Sequence, residues 1–163
     1  LNENQKKYQC FIANDNSTGQ IVLSGMNKDL DALTEDLKKN TIKNIRLPVS
    51  APFHSKLMSS ATEIMKQEIN QSNFIHPKNT IISNVTSLET TEPNQIKELL
   101  IKQIENPVRW RESVIYMINK GVTKFVEIGP GKVLSGLVKR IDRSVTIVSI
   151  NELDDLQGVK LND

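Results

Sequence analysis

A single cysteine, Cys10, leaves no partner for an internal disulfide and excludes a cysteine metal cluster. There are only two histidines, His54 and His76, and no His, Asp, Glu or Cys grouping has metal-ligand spacing. No metal or cofactor is therefore expected. Aromatics make up 4% of the residues, too few to give an RNA-binding sheet its stacking platforms. A net charge of +2 is too mild to argue for nucleic acid on electrostatic grounds. No apolar run approaches the roughly 20 residues that cross a bilayer. The first seven positions, Leu1 to Lys7, lack the apolar centre of a signal peptide. The default is a cytoplasmic globular chain with no membrane partner, and 163 residues suffice for one domain with a real core.

What is present reads as alternating short strands and helices. Residues 9–13 and 20–24 are β-like and are separated by Asn14-Asp15-Asn16-Ser17-Thr18-Gly19, a turn-favouring stretch, so a hairpin is expected. From Asn27 the apolar residues fall at Leu30, Leu33 and Leu37, with acids early and lysines late. That is an amphipathic helix with Asn27 as its cap. Residues 44–49 read as another strand. Ser55 is placed to cap a helix carrying Leu57, Met58, Ala61, Ile64, Met65 and Ile69. A short strand over 80–85 and a polar loop follow, then a helix from Pro93 to about Ile104. Asn106-Pro107 ends it, and a further helix covers about 108–119, stopped by Gly121. A buried strand over 124–128, a Gly129-Pro130-Gly131 turn, a helix to about Ile141 and a strand over 145–150 form a parallel βαβ unit. Its crossover is expected to be right-handed.

The segment Pro48-Val49-Ser50-Ala51-Pro52-Phe53-His54-Ser55 carries the most chemistry. Its two prolines fix φ and keep the preceding residues extended, so His54 sits on stiff backbone between a β-like and a helical run. An imidazole so presented can exchange a proton near neutral pH, as a nucleophile's base must. It can equally be a hydrogen-bonded structural histidine. Gly129-Pro130-Gly131-Lys132 superficially suggests a phosphate cradle but lacks the glycine spacing of a Walker A loop, and is read as a tight strand-to-helix turn. Trp110 is read as a core anchor, Cys10 as a buried small hydrophobe and His76 as a loop residue.

The His54 elbow, the later Gln103-Ile104-Glu105-Asn106-Pro107-Val108-Arg109-Trp110 and the run Glu127-Ile128-Gly129-Pro130-Gly131-Lys132-Val133-Leu134-Ser135-Gly136-Leu137 resemble consecutive signatures of malonyl-CoA:acyl-carrier-protein transacylases. The stretch from Asn14 to Gly25 is similar to the same family, and the likeness covers nearly the whole chain. It implies an α/β fold, namely the C-terminal portion of an α/β-hydrolase-like acyltransferase with an incomplete ferredoxin-like subdomain. The smaller part would span residues 1–52 and the larger residues 53–163.

The resemblance also implies malonyl transfer from malonyl-CoA to the phosphopantetheine thiol of acyl carrier protein, in fatty acid biosynthesis. By that likeness His54 matches the catalytic base and Gln103 the position whose backbone carbonyl orients it. Asn14 and Asn16 match pocket-side positions, and either can be a turn residue instead. Phe53 is compatible with a small, unbranched acyl group. Lysine and arginine clusters, Lys38, Lys39, Lys43 and Arg46 or Lys132, Lys139 and Arg140, offer basic faces to an acidic carrier.

Two elements of the family pattern are absent: a Gly-His-Ser-x-Gly elbow with its nucleophilic serine, and the arginine that holds the malonyl carboxylate. No Gly-x-Ser-x-Gly occurs anywhere, and the chain opens on Leu1 rather than Met. It is expected to be the C-terminal portion of a longer or split enzyme, to need an N-terminal segment as partner, and to be inactive alone. The alternative is a non-catalytic fragment or carrier-binding module.

Overall fold

The structure, a computed structural model, describes residues 7–158. Strands β1 (Phe11–Ser17) and β2 (Gln20–Ser24) form an antiparallel hairpin, and α1 (Asn27–Lys39) follows it. Tyr8, Cys10 and Leu33 make a small core there, with Leu23, Leu30 and Leu37 packed around it. The Leu30, Leu33, Leu37 stripe thus buries the face that its helical spacing predicts. Burial raises the Cys10 thiol pKa, in keeping with a small hydrophobe rather than a reactive thiol. The Tyr8 hydroxyl and then the Lys7 ammonium hold the Asp36 carboxyl down to about 2.

After α1 come a 3-10 turn (Lys56–Met58), α2 (Ser59–Gln71), and a minimal pair, β3 (Ile81–Ile82) with β4 (Glu89–Thr90). Helices α3 (Pro93–Gln103) and α4 (Trp110–Asn119) follow, α3 opening on its proline as expected. A parallel unit closes the described chain: β5 (Lys124–Ile128), α5 (Val133–Ile141) and β6 (Thr146–Ile150), with a final 3-10 turn at Leu153–Gly158. Helices α4 and α5 both pack on β1, and α2 packs on α3. Val114 of α4 is wholly buried.

Several expectations fail for physical reasons. The turn-like Asn14 to Ser17 is strand, because a second segment pairs with it: Val108 donates to Ala13 O (2.8 Å) and accepts from Asp15 N (2.9 Å). Only Thr18 and Gly19 remain as the turn, with two bulges absorbing the irregular sequence. Residues 44–49 form no strand, since no described strand pairs with them. The strand expected over 80–85 shrinks to Ile81–Ile82, the only residues there with a ladder partner. Asn27 is the first helical residue rather than the cap; Met26 holds that position, and the Asn27 side chain accepts from Arg46. Ser55 takes the cap position of the 3-10 turn, yet its hydroxyl donates backwards to Pro52 O (2.7 Å). β5 is not buried: none of its residues is closed to solvent, and Ile128 is 79% exposed.

Candidate functional site

His54 adopts a left-handed backbone with φ of +58°, uncommon for a residue with a side chain and of the kind held only where surroundings enforce it. The elbow supplies the enforcement. Ser55, 1% exposed, bonds Pro52 across the histidine and closes the backbone loop around it. His54 is half-buried, and its Nδ1 lies 3.0 Å from the backbone carbonyl oxygen of Gln103, at the last turn of α3. A carbonyl can only accept, so that bond puts the proton on Nδ1 and leaves the Nε2 lone pair free. Such an imidazole is set to take a proton at Nε2 while its ring stays fixed. The carbonyl end of a helix also favours the positive charge that this transfer creates.

The partner side is held by residues 103–111, which reach β1, residues 84–86 and the end of α3. Gln103 Nε2 donates to Asn106 O (2.8 Å), and Asn106 Nδ2 donates to Lys102 O (2.6 Å). Val108 adds to the edge of β1. Arg109 bonds Asn84 O through its backbone N–H (3.0 Å), Val85 O and Thr86 O through its guanidinium (3.3 and 3.2 Å), and Glu112 as an ion pair. Arg111 grips Asp15 in a fork, Nε to Oδ1 at 3.0 Å and Nη2 to Oδ2 at 2.6 Å. Trp110 begins α4 half-buried, with its indole N–H unpartnered, so it is a partial anchor only.

The structure brings His54 and Gln103 together through a hydrogen bond. Asn14 lies in β1 opposite Val22, bridged to Val108; Asn16 falls in the second bulge. Among the described residues, no hydrogen bond links either asparagine to His54. Phe53, next to the histidine, is 47% exposed. His76 is an exposed loop residue, and no metal-binding group of His, Cys, Asp or Glu exists among the described residues.

The Gly129-Pro130-Gly131 turn is a strand-to-helix connection in which both glycines take positive φ, +138° and +91°. Its helix N-terminus is already occupied. Glu127 accepts from the backbone N–H of Leu134 (3.0 Å) and of Ser135 (2.7 Å). The Ser135 side chain and these backbone N–H groups hold the carboxyl below the usual range. A carboxylate therefore stands where a phosphate would bind.

The model of the acyl transferase domain matches residues 3–154. This chain belongs to the acyl transferase domain family. Curated relatives include the malonyl CoA-acyl carrier protein transacylases of Bacillus subtilis, 43% identical over 90% of this chain and 46% of the relative, and of Staphylococcus aureus, 42% identical over 93% and 49%. The chain thus spans about half the length of the curated relatives it matches. Among solved structures, the malonyl CoA-acyl carrier protein transacylase of Clostridium perfringens aligns with a TM-score of 0.90 at 37% identity, covering 96% of this chain and 51% of that one. A malonyl-transacylase in complex with its acyl-carrier protein aligns with a TM-score of 0.91 at 30% identity, covering 99% and 53%.

Within this acyl transferase chain, the first of the two basic faces is largely spent in local pairs. Lys38 pairs with Glu35 (2.8 Å), Lys39 with Asp36 (3.6 Å) and Arg46 with Asp31 (3.2 Å). In the second, Arg140 is engaged by Gln20. What sequence reasoning missed was the brace behind the histidine: Asn106 and the Ser55–Pro52 closure. The signal was present in Asn106-Pro107, read as a helix stop and as part of a family signature.

Proposed function

We propose that this chain supplies the base half of a malonyl-transfer site. His54, polarised through Nδ1 by the Gln103 carbonyl, accepts at Nε2 the proton of a serine carried on another segment. That serine attacks the malonyl thioester, coenzyme A leaves as the thiol, and the acyl-serine forms. His54 then takes the proton of the phosphopantetheine thiol of acyl carrier protein as the thiol attacks the acyl-serine, and returns it to the serine oxygen. The observation that carries the reading is the 3.0 Å approach of His54 Nδ1 to a backbone carbonyl, on left-handed backbone. The transacylase names of the relatives give the substrate class.

In this reading residues 1–52 belong to a ferredoxin-like part and residues 53–163 to an α/β-hydrolase-like part. Asn14 and Asn16 line the pocket side, and Phe53 bounds the acyl group. The serine-bearing segment would cover the open faces of the β5–β6 pair. A parallel pair with Val126 and Ile128 of β5 exposed supports this, because parallel sheets are ordinarily covered on both faces. The compartment assumed is the cytoplasm, which the single buried cysteine suits.

The test is malonyl transfer from malonyl-CoA to acyl carrier protein, measured with this chain alone and joined to a segment bearing a Gly-His-Ser-x-Gly elbow. No transfer is expected alone and transfer is expected when joined, with His54→Ala costing at least about a hundredfold in turnover. Transfer by the isolated chain would refute the requirement for a second segment. Carrier binding without transfer in the joined protein would favour the non-catalytic module instead.

A further inference from the structure

The carbonyl that faces His54 is available for a reason written four residues further along the chain. In an α-helix the carbonyl of residue i is taken by the N–H of residue i+4, so the last carbonyls of a helix need other partners. At the end of α3 these partners can be followed one by one. Ile101 O accepts from Ile104 N (3.3 Å). Lys102 O accepts from Glu105 N (3.2 Å) and from Asn106 Nδ2 (2.6 Å). For Gln103 the N–H of a continued helix would come from position 107, and that residue is proline. It has no N–H to give, and it disfavours helical backbone at Asn106 as well. The Gln103 oxygen stays open and meets His54 Nδ1 at 3.0 Å.

We infer that Pro107 is a positioning residue: by withholding an N–H from the end of α3 it reserves the Gln103 carbonyl for His54, and so fixes the imidazole with its proton on Nδ1 and its lone pair on Nε2. The Gln103–Asn106 and Asn106–Lys102 bonds hold the turn in which this happens. The functional meaning rests on the malonyl-transfer reading; the geometric claim about the imidazole does not.

The experiment uses the full chain with 15N-labelled histidine and reads the tautomer of His54 from its ring-nitrogen chemical shifts, above the pH at which the ring titrates. The parent should show Nδ1 protonated. Pro107→Ala introduces a competing N–H, and the ratio of Nδ1–H to Nε2–H forms should fall on the order of fivefold, the scale of one hydrogen bond. Pro107→Val supplies the same N–H while keeping an extended preference at 107, and should move the ratio in the same direction.

A parent-like ratio in a folded Pro107→Ala or Pro107→Val protein overturns the inference. Loss of the fold in both variants, seen by circular dichroism, assigns Pro107 to stability and overturns it too. In the protein joined to a serine-bearing segment, Pro107→Ala should lower kcat with KM little changed. A shifted tautomer with no transfer in the joined parent would sink the malonyl reading and leave the positioning role standing. Transfer with an unshifted tautomer would do the reverse.

Discussion

Residues 103–111 and residues 42–52 both contain proline and both bear on His54, one by holding its ring and the other by leading the chain into it. Along 103–111, side chain or backbone contacts reach β1, the 84–86 loop, the end of α3 and the histidine itself. Along 42–52 no strand is paired, and Ile42, Ile45, Leu47 and Val49 are all exposed. The two stretches do not differ in stiffness of sequence, since Pro48 and Pro52 restrict one as Pro107 restricts the other. They differ in partners. Order of the His54 ring therefore comes from the far side of the chain, through a carbonyl contributed 49 positions away.

The largest expected contrast is in hydrogen exchange. The amides of Asp15 and Val108 are bonded across the β1 edge, whereas those of residues 43–47 have no backbone acceptor among the described residues. Protection should differ by on the order of a thousandfold or more, the span between fraying segments and a stable core. Equal protection would mean that 42–52 is paired after all. Next in size is Arg111→Ala, which strips the fork from Asp15 and should lower stability by about 1–3 kcal/mol in urea melts. A change under about 0.5 kcal/mol would show that Val108 alone holds the junction.

Ser55→Ala should then cost about 1 kcal/mol, because it removes a buried hydroxyl that bonds Pro52. The same melts would show it, and an unchanged midpoint would mean that the prolines alone fix the elbow. Ile45→Asn, at a side chain 75% exposed, should change stability by less than about 0.5 kcal/mol. A larger loss would reveal packing in 42–52. Acid adds a last, directional test on α1, the helix before this segment. Asp36 is depressed to about 2 when folded, so its contribution is present above the ordinary carboxylate value of 3.8 and is lost as pH falls from there through about 2. Tyr8→Phe should weaken that acid dependence, read as a smaller fall in melting temperature across the same window.

How far the residues alone reveal this arrangement depends on the range of the interaction. The helices of residues 27–39, 93–103 and 110–119 are readable because their apolar spacing, Pro93 and Gly121 are local signals. The parallel βαβ unit is readable from its alternation of strand and helix. Asn14 to Ser17 misleads, because turn-favouring side chains are overruled by a bridge to Val108 that no local window contains. Residues 44–49 mislead in the opposite sense, since a β-like composition makes a strand only where another strand accepts it. The His54–Gln103 pair was accessible only through family resemblance. Proline at 107, four positions after Gln103, carried a physical clue to it that stood in plain view.

The left-handed backbone at His54 has a consequence for any library of variants of this chain. Replacing the histidine by Gly would relieve about 1–2 kcal/mol of conformational strain. It would also forfeit one hydrogen bond to Gln103, worth about 0.5–1.5 kcal/mol. The two nearly cancel. A screen that rewards only solubility or heat resistance would thus have almost no reason to retain histidine at position 54, and would accumulate well-folded members stripped of their base. A screen that scores turnover would hold the position fixed while tolerating change at Ile45.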